Sequence, residues 1–242
     1  VSPNFAGLFR FRALRAPHEV VELLRLRHRV YFEECGYGSL RPHHHDLTAH
    51  DLRSRLFGVY LGPRLVGGLR LVFRTEQPEA LVLAAVRAAL QEKLPLATGD
   101  GLPSEEAFDL RGAADPLLAR PDVEIGRLAL LRDVRNPELL FSVMLATLTA
   151  LHVAGARSYL YSCARERAAR FAQVANPRLV LEQPCAEGFA SDHFVFPLPT
   201  VAVLSVPSDS PYFGRACAAE AELRRSGQIV LSPAAEPRHA SP

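Results

Sequence analysis

The spacing of apolar residues changes period along the chain, and each change marks an element. From Pro17 to Glu34, Val20, Val21, Leu24, Val30 and Tyr31 recur at mostly helical spacing with charges between them, predicting an amphipathic helix ended by Gly36 and Gly38. Two strand-like runs follow, Leu56 to Leu61 and Arg64 to Phe73. Gly62-Pro63 joins them as an antiparallel hairpin, and Arg70 interrupts the apolar second arm. Pro78 to Leu94 reads as a helix with Pro78 near its start and Leu81, Leu83, Val86 and Leu90 on its core side. Pro95 to Pro121, rich in Gly, Pro, Asp and Ala, is expected to be a long loop or lid.

Asp122 to Arg132 is an apolar, strand-like run. Asn136-Pro137-Glu138 then gives a capping side chain, a proline at the first helical position and an acid at the positive end of the dipole. Leu139 to Val153 is almost wholly apolar, so this helix is expected to be buried on most sides, with Gly155 at its end. Ser158 to Cys163 completes a strand-helix-strand unit, for which parallel strands and a right-handed crossover are expected. Ala164 to Val174 predicts another helix, Leu179 to Leu181, His193 to Leu198 and Val201 to Val206 further strands, and Tyr212 to Arg225 a last helix. Residues 1–231 are expected to form one domain, and the tail from Ser232 to Pro242 to be disordered.

The fold class is therefore α/β, a mixed and mostly antiparallel sheet with one parallel strand-helix-strand step, flanked by helices. No Gly-x-Gly-x-x-Gly and no Gly-x-x-x-x-Gly-Lys-Ser/Thr is present, which speaks against a nucleotide-binding fold.

Composition narrows the classes of function. With 242 residues, 48% of them hydrophobic, and no apolar run long enough to span a bilayer, a soluble protein without an integral membrane segment is expected. Val1-Ser-Pro-Asn-Phe lacks the features of a secretory signal, so a cytoplasmic location is expected. Cys35, Cys163, Cys185 and Cys217 lie far apart and read as reduced thiols. Three adjacent histidines, His43 to His45, cannot all face one ion, so no metal is assigned and the segment reads as a solvated loop. A net charge of +2 is too small to argue for nucleic acid. Lys93 is the sole lysine, and the arginines that replace it suit bidentate contacts to carboxylates and phosphates.

The candidate chemistry lies in the run Asp122 to Arg132. Burying Glu124 and Arg127 in an otherwise apolar strand is unfavourable unless they are paired or functional. Regular alternation sends them to opposite faces, but a bulge at Gly126 lets both reach one site. A structural ion pair, two solvent-facing charges and a catalytic pair all fit this pattern.

The ordered landmarks Arg27-His-Arg-Val30-Tyr31, Tyr37, the acidic loop with Asp46 and Asp51, Gly67-Gly-Leu-Arg70-Leu71, Thr75, Pro78, Leu81 and Glu124-Ile-Gly-Arg127 resemble those of acyl-homoserine-lactone synthases and of the related N-acyl amino acid synthases. Both are branches of the GNAT acyltransferase fold, and the resemblance runs from Arg25 to Val174. Thr48 stands where the first group typically has the middle of three loop acids. Asp51-Leu-Arg-Ser54 and Val30-Tyr31-Phe-Glu-Glu34 look more like the second group.

The resemblance implies an N-acyltransferase that moves a fatty acyl chain from acyl carrier protein to the amine of an amino acid or similar small molecule. It implies Glu124 as the base, with Arg127 and Arg70 holding the acidic loop and Arg27 closing an ion-pair network against Asp46 or Asp51. A backbone N–H near Leu128 would serve the oxyanion, and Tyr161 or Tyr159 the leaving thiolate. Tyr31 joins the substrate-binding set, and Phe141, Val143, Met144 and Leu148 are candidates for an acyl pocket. The turn Arg132 to Pro137 has no glycine to cradle a pyrophosphate, which favours acyl carrier protein over coenzyme A. Arg132, Arg135, Arg165, Arg167 and Arg170 would then meet the acidic carrier. No cofactor is expected beyond the acyl donor. Homoserine-lactone synthesis, acyl-CoA-dependent transfer and a non-catalytic acyl-carrier-binding module are the alternatives.

Overall fold

In the computed structural model, residues 9–36, 45–74, 80–85, 101–106, 108–110, 113–182, 190–191, 194–195 and 200–231 are described. The strands are β1 (Phe9–Ala13), β2 (Ser54–Leu61), β3 (Arg64–Phe73), β4 (Val123–Leu130), β5 (Tyr159–Ala164), β6 (Leu179–Glu182), β7 (Ala190–Ser191), β8 (Phe194–Val195), β9 (Thr200–Ser205) and β10 (Gln228–Leu231). Eight of them form one sheet in the order β10-β1-β2-β3-β4-β5-β9-β6, and β7 pairs separately with β8. Every pairing is antiparallel except β4 with β5, which gives the mixed, mostly antiparallel sheet with one parallel strand-helix-strand step expected from the sequence.

The helices are α1 (Pro17–His28), α2 (Ala80–Ala85), α3 (Pro116–Ala119), α4 (Pro137–Val153), α5 (Arg165–Ala175) and α6 (Phe213–Ser226). The first helix does not stay α-helical to Glu34: residues Arg29–Glu34 widen into a π-helical turn, and Gly36 follows at φ 68°. At α4 the Asn136 side chain accepts the N–H of Leu139 at 2.7 Å, the cap its sequence predicts. Of the helix expected from Pro78 to Leu94, residues 80–85 are helical and the remainder lies outside the described residues, as do Tyr37, Thr75, Cys185 and the tail. Within the strand expected from His193 to Leu198, Phe194–Val195 is β8 and the other positions also lie outside.

Three features were not read from the sequence. β1 and β10, with five and four residues to show a period, pair with each other at one edge of the sheet. The expected loop from Pro95 to Pro121 holds a 3-10 turn at Pro103–Glu106 and α3, and it packs on the sheet. Its Leu102, Phe108, Leu110 and Leu118 join Val72, Leu160 and Leu204 in a second apolar cluster. Their irregular spacing carries no helical or strand period, so only tertiary docking explains them.

That cluster fixes which face of the sheet bears the site. Val72, Glu124 and Leu160 are lateral neighbours in register, so their side chains share one face. Gly68, four residues before Val72, lies on the same face, and a Cβ there would stand 2.6 Å from Leu23 of α1. Glu124 thus points beneath the layer formed by α1 and residues 101–119. No helix among the described residues is long and apolar enough to cross a membrane.

Candidate active site

β4 and β5 pair only through Val123–Tyr159, Glu124–Leu160 and Ile125–Tyr161, although β4 continues to Leu130 and β5 to Ala164. The strands part beyond Ile125. On the other edge of β4, Gly68 pairs with Ala129 and Arg70 with Gly126, so Arg127 and Leu128 stand opposite Leu69 alone in a β-bulge. The bulge expected from the sequence is present, but the left-handed residue is Arg127, at φ 55°, rather than Gly126. Gly126 meets a different demand. Arg70 lies across it, and a Cβ would stand 3.3 Å from the Arg70 Nε.

Past the bulge, Leu131 N–H donates to Val66 O at 2.9 Å. Strand alternation then turns the peptide groups of Leu128 and Leu130 to the opposite edge, toward the gap. Their carbonyls are held there by side chains: Tyr31 Oη donates to Leu128 O at 2.7 Å, and Arg135 Nη2 donates to Leu130 O at 2.7 Å. By the same alternation their N–H groups are expected along that edge.

The gap opens into a cleft of about 460 Å³, with Glu124, Gly126 and Leu128 on one wall and Tyr161, Cys163 and Met144 on the other. Glu124 is 3% exposed. Its Oε2 accepts the backbone N–H of Ser104 at 2.8 Å and its Oε1 the Ser104 hydroxyl at 2.7 Å. Burial drives its pKa up to about 7, against the hydrogen bonds from Ser104 and the charge of Arg70, while Glu105 adds to the rise.

Next to Glu124 lies a buried ion network. Arg27, with no exposed surface, donates from Nε to Asp46 at 2.9 Å and from Nη1 and Nη2 to Asp51 at 2.7 and 3.3 Å. Arg70 pairs with Asp51 at 3.1 Å and Arg127 with Asp46 at 3.5 Å. Thr48, where the resemblance would put an acid, instead bridges Arg70 and Asp51 through its hydroxyl, at 2.7 and 3.1 Å. Three guanidiniums therefore face two carboxylates. Burial works to raise the pKa of Asp51, but Arg27 and Arg70 outweigh it and hold it well below the carboxylate range. Burial brings Arg127 down to about 10, with Asp46 opposing. Arg70 Nε and Asp46 Oδ1 have no hydrogen-bond partner among the described residues.

Glu124, Arg127, Arg70, Tyr31, Met144 and Tyr161 line the cleft, as do Arg135, Arg167 and Arg170 near α4 and α5. Arg27, Asp46 and Asp51 are fully buried in the ion network rather than in the cleft lining. Phe141, expected in an acyl pocket, turns its ring edge-on against Tyr212, 5.1 Å between centroids, because the apolar surface of α4 also serves α6. Arg165 pairs with Glu182 at 2.6 Å, and Arg132 is exposed on the turn before α4. Tyr161 has a hydroxyl without a hydrogen-bond partner among the described residues, and burial raises its pKa. Burial also lifts Tyr159, to about 12, against a hydrogen bond with Ser205. His45 Nε2 accepts from Arg25 at 3.1 Å, while His43 and His44 lie outside the described residues. Ser104, His50 and Cys163 were not anticipated in the site. Ser104 reaches Glu124 from 20 residues away, and nothing in its local sequence signals that contact.

No protein-family model matches the sequence, and no curated protein matches it. Among solved structures, the chain is similar to BjaI, a CoA-dependent acyl-homoserine lactone synthase with SAM and isopentyl-CoA (TM-score 0.55, 19% identity, 86% of this chain and 90% of that one). It is also similar to MesI, a CoA-dependent acyl-homoserine lactone synthase (TM-score 0.50, 16% identity, 87% and 95%). A third similar structure is FeeM, an N-acyl amino acid synthase from uncultured soil microbes (TM-score 0.49, 15% identity, 83% and 92%). At these identities the likeness establishes the fold, which this chain shares with BjaI and MesI over most of its length.

Proposed function

We propose that the chain is an N-acyltransferase that moves a fatty acyl group from a thioester to the amine of an amino acid or similar small molecule. The observation that carries this reading is Glu124, a buried carboxylate with its pKa raised to about 7, on the wall of the cleft where β4 and β5 part. An acceptor amine arrives as an ammonium and must lose a proton before it attacks. A carboxylate that titrates near neutrality is matched to that task.

The proton passes from the ammonium to Glu124, and the freed lone pair forms the C–N bond at the thioester carbonyl. The carbonyl oxygen becomes an oxyanion within reach of the N–H of Leu128 or Leu130. Collapse of the intermediate breaks the C–S bond; the leaving thiolate takes a proton from Tyr161, whose phenol burial keeps protonated, and the second proton released by the acceptor nitrogen as it becomes an amide passes to the Tyr161 oxygen and restores the phenol. Arg70, whose buried Nε has no hydrogen-bond partner among the described residues, suits the carboxylate of an amino-acid acceptor.

We propose acyl carrier protein as the donor. The turn from Arg132 to Pro137 has no glycine, Pro137 has no N–H, and the N–H of Leu139 is already taken by Asn136. That leaves few donors for a pyrophosphate, while Arg132, Arg135, Arg167 and Arg170 suit an acidic carrier. Acyl-CoA is the second reading for the donor and homoserine lactone for the product, favoured by the similarity to BjaI and MesI, both CoA-dependent acyl-homoserine lactone synthases. Thr48 in the acidic loop weighs toward the amino acid.

The deciding experiment is mass spectrometry of products formed by purified protein from acyl carrier protein or acyl-CoA thioesters, with mixed amino acids and S-adenosylmethionine. An N-acyl amino acid is expected, and it would be absent with Glu124→Gln. An acyl-homoserine lactone would replace the acceptor assignment. No acyl product, together with measurable carrier binding, would replace catalysis by a binding role.

A further inference from the structure

We infer that Ser104 is a positioning residue for Glu124: it fixes the carboxylate and selects Oε1 as the oxygen that receives the acceptor's proton. The inference rests on the acyl-transfer reading only for the source of that proton.

The two bonds from Ser104 are not equivalent. Its backbone N–H, which meets Oε2 at 2.8 Å, can only donate. Its hydroxyl, which meets Oε1 at 2.7 Å, can donate or accept. Both groups donate to the ionised carboxylate. A proton placed on Oε2 would face the N–H, donor against donor. On Oε1 it faces a hydroxyl that rotates to accept it. In the balanced step the ammonium loses one proton, Glu124 gains it at Oε1, and Ser104 keeps its own proton while reversing its hydrogen bond.

The turn that carries Ser104 is fastened on both sides. Ser104 is 3% exposed and is the second residue of the turn Pro103–Glu106. Its neighbour Glu105 pairs with Arg74 at the end of β3, Nη1 to Oε2 3.1 Å, and accepts the N–H of Leu102 at 2.8 Å. Arg74 Nε also donates to Pro121 O at 3.0 Å, and Leu102 is buried in the apolar cluster below. The other ionisable groups around Glu124 are Arg70 from β3, Glu105 from the turn, and Arg127, Tyr31, Tyr161 and His50 along the cleft. Among the described residues, Ser104 is the one that bonds to both carboxylate oxygens.

The test compares full-length wild-type protein with Ser104→Ala and Ser104→Thr. The Glu124 carboxyl is titrated by isotope-edited infrared spectroscopy, assigned by difference from Glu124→Gln, and acyl transfer is measured against pH. Removing a donor to the charged form should raise the Ser104→Ala titration by about one pH unit. Turnover below neutral pH should fall about tenfold and recover as pH rises, with KM for the acceptor nearly unchanged, and Ser104→Thr should restore the wild-type profile. An alanine variant that titrates like wild type, or loses activity equally at every pH, overturns the inference. Wild-type protein that transfers no acyl group overturns the functional reading instead, and the infrared titration still decides Ser104. If Ser104→Ala does not fold, Ser104→Cys, with its weaker donor, should show an upward shift; no shift overturns the inference.

Discussion

The phenol of Tyr31 and the carbonyl of Leu128 are joined by a 2.7 Å hydrogen bond that ties the π-helical turn after α1 to the bulge of β4. Burial raises the Tyr31 pKa to about 12, so the phenol remains a donor across the working range. Tyr31→Phe keeps the ring and strands the carbonyl. We expect a loss of about 1–2 kcal/mol in stability. Turnover should fall roughly tenfold, because the neighbouring N–H is the candidate oxyanion donor. Thermal denaturation and initial rates of the variant check both effects, and unchanged rates would remove the bulge carbonyl from the mechanism.

Glu124 should make activity and stability run in opposite directions with pH. Its folded pKa of about 7 lies above the ordinary 4.5, so the fold favours the protonated acid. That contribution is fully present below pH 4.5 and is lost as pH rises through 7. Glu124→Gln should therefore gain stability relative to wild type between pH 5 and pH 8, by up to about 3 kcal/mol. Acyl transfer should meanwhile fall by about 10²–10⁴ and lose its acidic limb near neutrality. Denaturant melts at the two pH values, paired with pH–rate profiles, test the two halves separately.

Much of this site was legible because Glu124 and Arg127 are charges in an apolar strand, and burying them demands partners. The network partners Arg27, Asp46, Asp51 and Arg70 entered through the resemblance, and all are buried against one another. The bulge was legible as a need, but the residue that makes it was not. Sequence favours glycine for a left-handed φ, whereas Arg127 adopts it with its guanidinium beside Asp46 and 5.7 Å from the ring of Tyr31. Ser104 was illegible for the converse reason. Its role comes from folding residues 101–119 onto the sheet, and that segment has no period to read.

Asp51 is the carboxylate whose loss should cost most stability. It accepts two bonds from Arg27, pairs with Arg70, and accepts the N–H of Thr48 at 2.8 Å, all in the buried network. Asp51→Asn leaves three guanidiniums facing Asp46 alone, at a cost of about 3–5 kcal/mol. Because the folded pKa lies below the ordinary 3.8, the wild-type contribution is present above that pH and is lost as acid protonates the group. Chemical denaturation should find the variant far weaker at neutral pH, with the difference narrowing in acid. Equal stability at neutral pH would show the network to be energetically idle.

Gly126 should be intolerant of a side chain through Arg70 rather than through backbone strain. A Cβ would stand 3.3 Å from Arg70 Nε and 3.6 Å from its Cγ, so Gly126→Ala must shift the guanidinium by a few tenths of an ångström. Loss of about 1–2 kcal/mol is expected from the disturbed packing. KM for an amino-acid acceptor should rise, because Arg70 is the group matched to its carboxylate. An acceptor amine without a carboxylate should be affected much less. Equal changes for both acceptors would argue against carboxylate recognition by Arg70.

Met144 offers a test of where the acyl chain lies. It projects from α4 into the cleft wall with Leu140 nearby, whereas Phe141 on the same helix packs on Tyr212, the residue that precedes α6. Each methylene buried in an apolar site adds about 0.8 kcal/mol of binding, close to fourfold in affinity. Filling the cleft with Met144→Trp should remove room for the distal methylenes, so long-chain donors lose most and short-chain donors least. Phe141→Leu is the matched control: it loosens the contact between α4 and α6 and should lower stability by about 1–2 kcal/mol while leaving the chain-length profile alone. A competition assay across a ladder of acyl lengths reads the difference directly. If Phe141→Leu shifts the profile and Met144→Trp does not, the acyl chain runs between α4 and α6 rather than into the gap between β4 and β5.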